Sequence, residues 1–222
     1  RDELKPGGGQ LGKLRKIDLA NLDPRLKECE ILVASDVSNP LTGPEGASQV
    51  YGQQKGGNEL MVEKLDRKLG HLAIIIYEQL GIDIEDTPGS GAAGGLGAGL
   101  MAFLGAELRP GFDVVSEAVS LESYMTDADY VITGEGRIDF QTQFGKTPFG
   151  VATLAARYNI PVIAVAGTLG EGYDVLFDLG FNAIIPISET KIPLKESLIR
   201  APELLIETGK RIGINIGPGH QV

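Results

Sequence analysis

Three short apolar runs constrain this chain most. "DYVIT" (129–133), "PVIAVAGT" (161–168) and "NAIIPIS" (182–188) each precede a stretch of helical character: "PFGVATLAARY", "GYDVLFDLG" and "PLKESLIRAPELLIETGKRIG". Short apolar strands alternating with helices predict an α/β fold with a parallel sheet and right-handed crossovers. A parallel sheet is normally covered on both faces, and three strands are few for one. Further strands therefore come from the earlier half or lie outside this chain.

The earlier half reads differently. "ILVAS" (31–35) is expected to be a buried strand ending at Asp36, with Cys29 a core thiol at its start. A long helix follows, with Asn58 as its cap, apolar residues from Leu60 to Leu80 at helical spacing, and Gly81 just past its end. Residues 91–107 read as a small-residue helix and 113–125 as another. The first 28 residues look irregular. His71 reads as structural, and His220 belongs to the tail.

Charge removes several function classes. The formal net charge is −10 and no Lys/Arg block stands out, so neither a nucleic-acid phosphate track nor an anionic membrane surface fits. "AAGGLGAGLMAFLGA" (92–106) is too short and glycine-rich to cross a bilayer. A single cysteine cannot form an internal disulfide, which suits the cytoplasm.

The chemistry concentrates in "TGEGRIDFQTQFGKTP" (133–148), at the carboxyl end of a strand, where open α/β sheets bind ligands. In an extended segment Glu135, Arg137 and Asp139 share a face. Gly134 and Gly136 permit close backbone approach. Thr147 is expected to cap the next helix, with Pro148 at its first position and Lys146 beside that terminus, a setting that suits an anion. The plain alternative is a surface turn tied by a salt bridge from Arg137. "FGKTP" is no P-loop, because Phe140 stands where that motif needs glycine.

Two other stretches stay open. "GSGAAGGLGAG" (89–99) contains Gly89-x-Gly91-x-x-Gly94, but no strand precedes it, which disfavours a nucleotide-dependent dehydrogenase. Gly91, Gly94 and Gly95 either let a neighbour pack closely or line an anion site with backbone donors. In "SDVSNPLTGPEGASQVYGQQKG" (35–56), Asp36 and Asn39 either contact substrate or metal or simply form turns. Lys55 either reaches a phosphate or is solvated.

Together "SDVSNPLTGPEGASQVYGQQKG", "PGSGAAGGLGAGLMAFLGAELRPG", "DADYVITGEGRIDFQTQFGKTPFGVA" and "PVIAVAGTL", in this order, resemble the type 1 (bacterial-type) D-glycerate kinase family over most of residues 5–215. The resemblance implies transfer of the γ-phosphoryl of ATP, with Mg²⁺, to D-glycerate, with 2-phosphoglycerate favoured over 3-phosphoglycerate, by a monomer or homodimer. It implies a Rossmann-like domain into which a distinct α/β domain is inserted. Residues 1–125 would belong to the inserted domain, 126–216 to the C-terminal part of the Rossmann-like one, and 217–222 to a tail. The chain resembles the C-terminal part of such a kinase, and alone it is expected to turn over poorly. Glu135 and Asp139 are the candidate base and Mg²⁺ ligands. Arg137 and Lys146 would hold phosphate or the glycerate carboxylate. Asp36, Asn39, Lys55, Gly91, Gly94, Gly95, Gly134, Gly136 and Thr147 are candidate substrate- or phosphate-binding positions. The alternative is a small-molecule-binding module that keeps the fold without the chemistry.

Overall fold

The computed structural model describes residues 3–190 and 192–215. His220 and the 217–222 tail lie outside them. The chain forms two compact units, Arg1–Val114 and Val115–Val222.

The first unit is built around two helices. Strand β1 (Leu32–Ala34) and the five-residue α1 (Ala47–Tyr51) precede the long α2 (Glu59–Leu80). The side chain of Asn58 accepts from Met61 N at 2.9 Å, and Gly81, at φ 72°, closes the far end of α2 in the left-handed conformation. Both ends follow the expected chemistry. The buried face of α2, including Leu69, Leu72 and Ile76, packs with Leu41, Ile84, Ala98 and Ala102. Its outer side fastens residues 14–17: His71 Nε2 lies 2.9 Å from Leu14 O, and Gln79 bonds Ile17 N and Arg15 O. His71 is structural, as expected.

Three expectations in this unit are corrected. The 91–107 segment is not helical throughout: α3 spans Ala92–Leu104, and Gly105, at φ 64°, ends it. The chain then forms β2 (Glu107–Arg109), which pairs in parallel with β1. β1 is shorter than expected and is not buried, since this two-stranded sheet leaves it half-exposed. Cys29 is exposed rather than a core thiol, with its Sγ near Arg25 O at 3.3 Å.

Helix α4 (Gly111–Ala118) is shorter than the expected 113–125 helix. Ser120, at φ 52°, breaks it before a 3₁₀ turn over Leu121–Tyr124. The second unit then holds a parallel sheet in the order β3-β4-β5: Val131–Ile138, Val162–Leu169 and Ala183–Pro186. β3 and β5 are the edges among the described residues. Helix α5 (Thr147–Ala156) connects β3 to β4. Tyr173–Leu179, expected to be an α-helix, is 3₁₀, because left-handed glycines at 172 and 180 leave only seven residues between them. Helix α6 (Leu194–Asn215) closes the unit. The apolar stretch 162–166 of β4 and the Ala152–Ala155 side of α5 supply the core. α6 buries Leu204, Thr208 and Ile212, an i, i+4 stripe, while Arg211 ties it to β5 through Pro186 O at 3.0 Å.

Candidate functional site

β3 does not stop at Thr133. It runs to Ile138, so the glycine- and charge-rich segment is itself strand, in register with β4 through Glu135↔Ala166 and Arg137↔Thr168. The glycines allow this: a side chain on Gly134 would meet Val165 O at 2.9 Å, and one on Gly167 would meet Gly136 O at 2.5 Å. Asp139 remains extended (φ −149°, ψ −175°) and then starts a 3₁₀ turn over Phe140–Gln143. Its side chain accepts from Gln141 N at 3.0 Å, and Thr142 Oγ1 accepts from Asp139 N. This reciprocal pair fixes the carboxylate where the strand ends.

Four charged residues expected from the sequence meet here. Arg137 Nε lies 2.9 Å from Asp139 Oδ2. Lys146 Nζ stands 3.7 Å from Asp139 Oδ1 and 3.9 Å from Glu135 Oε1. Burial is the largest single influence on Asp139 and opposes its ionisation. The Arg137 guanidinium, the Gln141 N–H and Lys146 together outweigh it, so the carboxyl lies below its ordinary range. The two carboxylates differ. Both Asp139 oxygens are engaged, whereas Glu135 Oε2 is buried with no hydrogen-bond partner among the described residues. A buried acceptor left open is costly unless something donates to it.

Thr147 does not cap α5. Gly145, at φ 89°, turns the chain so that Lys146 occupies the cap position, without a side-chain capping bond. Thr147 is then the first helical residue and is exposed, with Pro148 second. Gly170 was not singled out by the sequence. It sits against the Arg137–Asp139 pair, where a Cβ would meet the Asp139 Cβ and the guanidinium within 3.0 Å. The repeat of Gly-x-Gly at 170–172, one strand over from 134–136, was the available signal.

In the first unit the structure separates the candidates. Asn39 is committed to its own loop: Nδ2 donates to Glu45 O at 2.8 Å and Oδ1 accepts from Tyr51 Oη at 2.6 Å. Asp36 Oδ1 accepts from Gly111 N at 2.8 Å and steadies the start of α4. Gly91 packs against Pro40 O and donates to Asn39 O. Gly95 packs against Leu69 and Leu41. The element leading into Gly89 is helix α2, not a strand, so the dinucleotide-binding requirement is unmet among the described residues. Lys55 and Gly94, by contrast, face a common groove of about 630 Å³, joined by Lys64 and Lys68, which the sequence reading missed.

Among the described residues no helix is long and apolar enough to cross a membrane, and no three His, Cys, Asp or Glu side chains are gathered to enclose a metal. Comparison with known proteins is specific. Residues 1–216 match the model of the glycerate kinase family. A glycerate kinase of Halalkalibacterium halodurans is 47% identical over 96% of this chain and 56% of its own length. A glycerate 2-kinase of Escherichia coli K12 is 45% identical over 98% of this chain and 57% of its own. A crystal structure assigned as a glycerate kinase 2 from Salmonella typhimurium LT2 superposes with a TM-score of 0.82 at 46% identity, covering 96% of this chain and 55% of that one. The chain thus spans a little over half the length of these relatives, and across that span it belongs to the glycerate kinase family.

Proposed function

We propose that this chain is the C-terminal part of a type 1 ATP-dependent D-glycerate kinase and carries the charged half of its phosphoryl-transfer chemistry. The observation that carries the reading is the cluster of Glu135, Arg137, Asp139 and Lys146 at the end of β3. Phosphoryl transfer requires little covalent help from the protein; it requires positioning and neutralised charge. Residues 1–125 are read as the inserted α/β domain and the β3-β4-β5 sheet, within 126–216, as part of the Rossmann-like one. Among the described residues the outer edges of β3 and β5 are unpaired, which leaves room for strands from a longer chain.

Within the cluster the roles divide by what each group already holds. Asp139 is saturated by Arg137, Lys146 and Gln141 N, so it positions the two cations. Arg137, 62% exposed at its side chain, extends toward solvent and can reach an anionic oxygen of phosphate or of the glycerate carboxylate. Glu135 keeps one oxygen free, and that oxygen accepts the proton of the attacking glycerate hydroxyl. The alternative use of that oxygen is as a ligand to Mg²⁺, an ion usually held through one or two carboxylates plus substrate phosphates; the base role and the metal role exclude each other. When bound it would neutralise charge on the nucleotide phosphates. The name of the Escherichia coli relative favours the 2-hydroxyl as acceptor. The single exposed cysteine agrees with a cytoplasmic location.

The test is ADP release with ATP, Mg²⁺ and D-glycerate, run on residues 1–222 and on the longer protein. Turnover by the longer protein supports the reading, with product position read by ³¹P spectra. No turnover there, with D-glycerate still bound, would favour a binding module.

A further inference from the structure

The groove of the first unit has no part in the cluster described above. It is bounded by the chain around Gly8–Leu11, by α1 and the turn through Lys55–Gly57, by the first half of α2, and by Ala93–Gly94. Its volume, about 630 Å³, falls within the roughly 300–1,000 Å³ of sites for cofactor-sized ligands. A three-carbon acid would leave most of it empty.

Its lining is chemically one-sided. Lys55, Lys64 and Lys68 border it, and no Asp or Glu does, in a chain with 30 acidic and 20 basic residues. Lys68 is held by Gly9 O. Lys55 and Lys64 have no ion-pair partner among the described residues. Leu11, Ala47, Met61, Leu65 and Leu69 supply most of the apolar lining. Ala93 and Gly94, also on the lining, are left-handed, at φ 49° and 75°. A left-handed alanine is held at a cost, and such strain concentrates at ligand sites.

A largely apolar groove bordered by ammonium groups without ion-pair partners fits a ligand with an apolar ring system and several negative charges. We propose that this groove binds the nucleoside polyphosphate, with Lys55 and Lys64 on its phosphates and the base between Met61 and Leu65. This rests on the phosphoryl-transfer reading above. The residues that line the groove fall between Gly8 and Gly94.

The test uses ADP and the 222-residue chain. Calorimetric titration is expected to show ADP binding, weakened on the order of tenfold by Lys55→Met and again by Lys64→Met, since each removes one charged contact. Methionine keeps the apolar stem, and unchanged circular dichroism checks the fold. Lys195→Met, on α6, is expected to bind as the unaltered chain does. Hydrogen exchange is expected to slow on ADP addition within 48–57, 61–68 and 93–96. No ADP binding up to millimolar concentration would overturn the assignment, as would protection confined to 134–147. In the longer protein, an unchanged KM for ATP in Lys64→Met with normal turnover would also overturn it while sparing the kinase reading. ADP bound in the groove of a longer protein that never turns over would uphold the site and reject the activity.

Discussion

Gly170 and Asp139 are in contact through a gap that admits no side chain: a Cβ on Gly170 would stand 2.6 Å from the Cβ of Asp139, and 2.9 Å from a guanidinium nitrogen of Arg137. Because the Asp139 Cβ is anchored to backbone, it cannot swing aside. Gly170→Ala is therefore expected to push the Arg137–Asp139 pair apart. The longer protein should lose at least about tenfold in kcat, since displaced positioning groups lose rate steeply, with a lowered melting temperature. A variant with unchanged kinetics and stability would show that the pair has room to move.

Glu135 and Asp139 should part under isosteric substitution. Glu135→Gln removes the basic oxygen without changing shape and is expected to cut kcat by roughly 10²-fold or more, the range of general base catalysis, with an unchanged urea midpoint. Asp139→Asn leaves two cations beside a neutral group and should lower both stability and turnover. Equal loss of stability in the two variants would refute the division of roles.

Arg137→Ala gives a complementary result. Only the guanidinium side of its pair is exposed, at 62% against 9% for Asp139. Lys146 and Gln141 N still hold the carboxylate when Arg137 is gone, so stability is expected to fall by on the order of 1–3 kcal/mol, one hydrogen bond to a charged group. Turnover in the longer protein should fall about 10²–10³-fold, as for one preorganised donor. Intact kinetics with a lowered melting temperature would make Arg137 a structural ion-pair partner.

The pH response follows from the lowered pKa of Asp139. A carboxyl that ionises more readily folded than unfolded stabilises the fold above its unfolded pKa and loses that contribution as pH falls through the folded value. The urea midpoint of the 222-residue chain should therefore drop below about pH 4, the ordinary Asp range. The gap between it and Asp139→Asn should narrow over the same interval. A gap independent of pH would place the cost of that variant in lost capping geometry alone.

At the other unit, Asn58→Ala should remove the bond to Met61 N and cost about 1 kcal/mol, read as a shift in urea midpoint. No shift would mean that α2 is held by packing alone.

The parallel three-stranded sheet, the α2 caps and the meeting of Glu135 with Arg137, Asp139 and Lys146 were legible because each rests on local periodicity or on alternation along one strand. β2 was hidden, since "ELR" carries no strand pattern of its own and exists by pairing with β1. Asn39 could be read either as turn former or as ligand, and only its neighbours Glu45 and Tyr51 decide. Lys64 and Lys68 were absorbed into a helix face, and nothing in their spacing reveals that Lys55 folds back beside them. Gly170 faces Asp139 across the sheet, a relation invisible along one strand.

The unbroken run of β3 through its charged segment has a consequence for length variation. Side chains alternate along a strand, so one residue gained or lost between Val131 and Ile138 would turn every later side chain to the opposite face. Placed between Glu135 and Asp139, such a change would put Glu135 on the opposite face from Asp139, although all four charged residues would still be encoded. Insertions can be accommodated only past the sheet, where the turn through Phe144 and Gly145 has no ladder to keep.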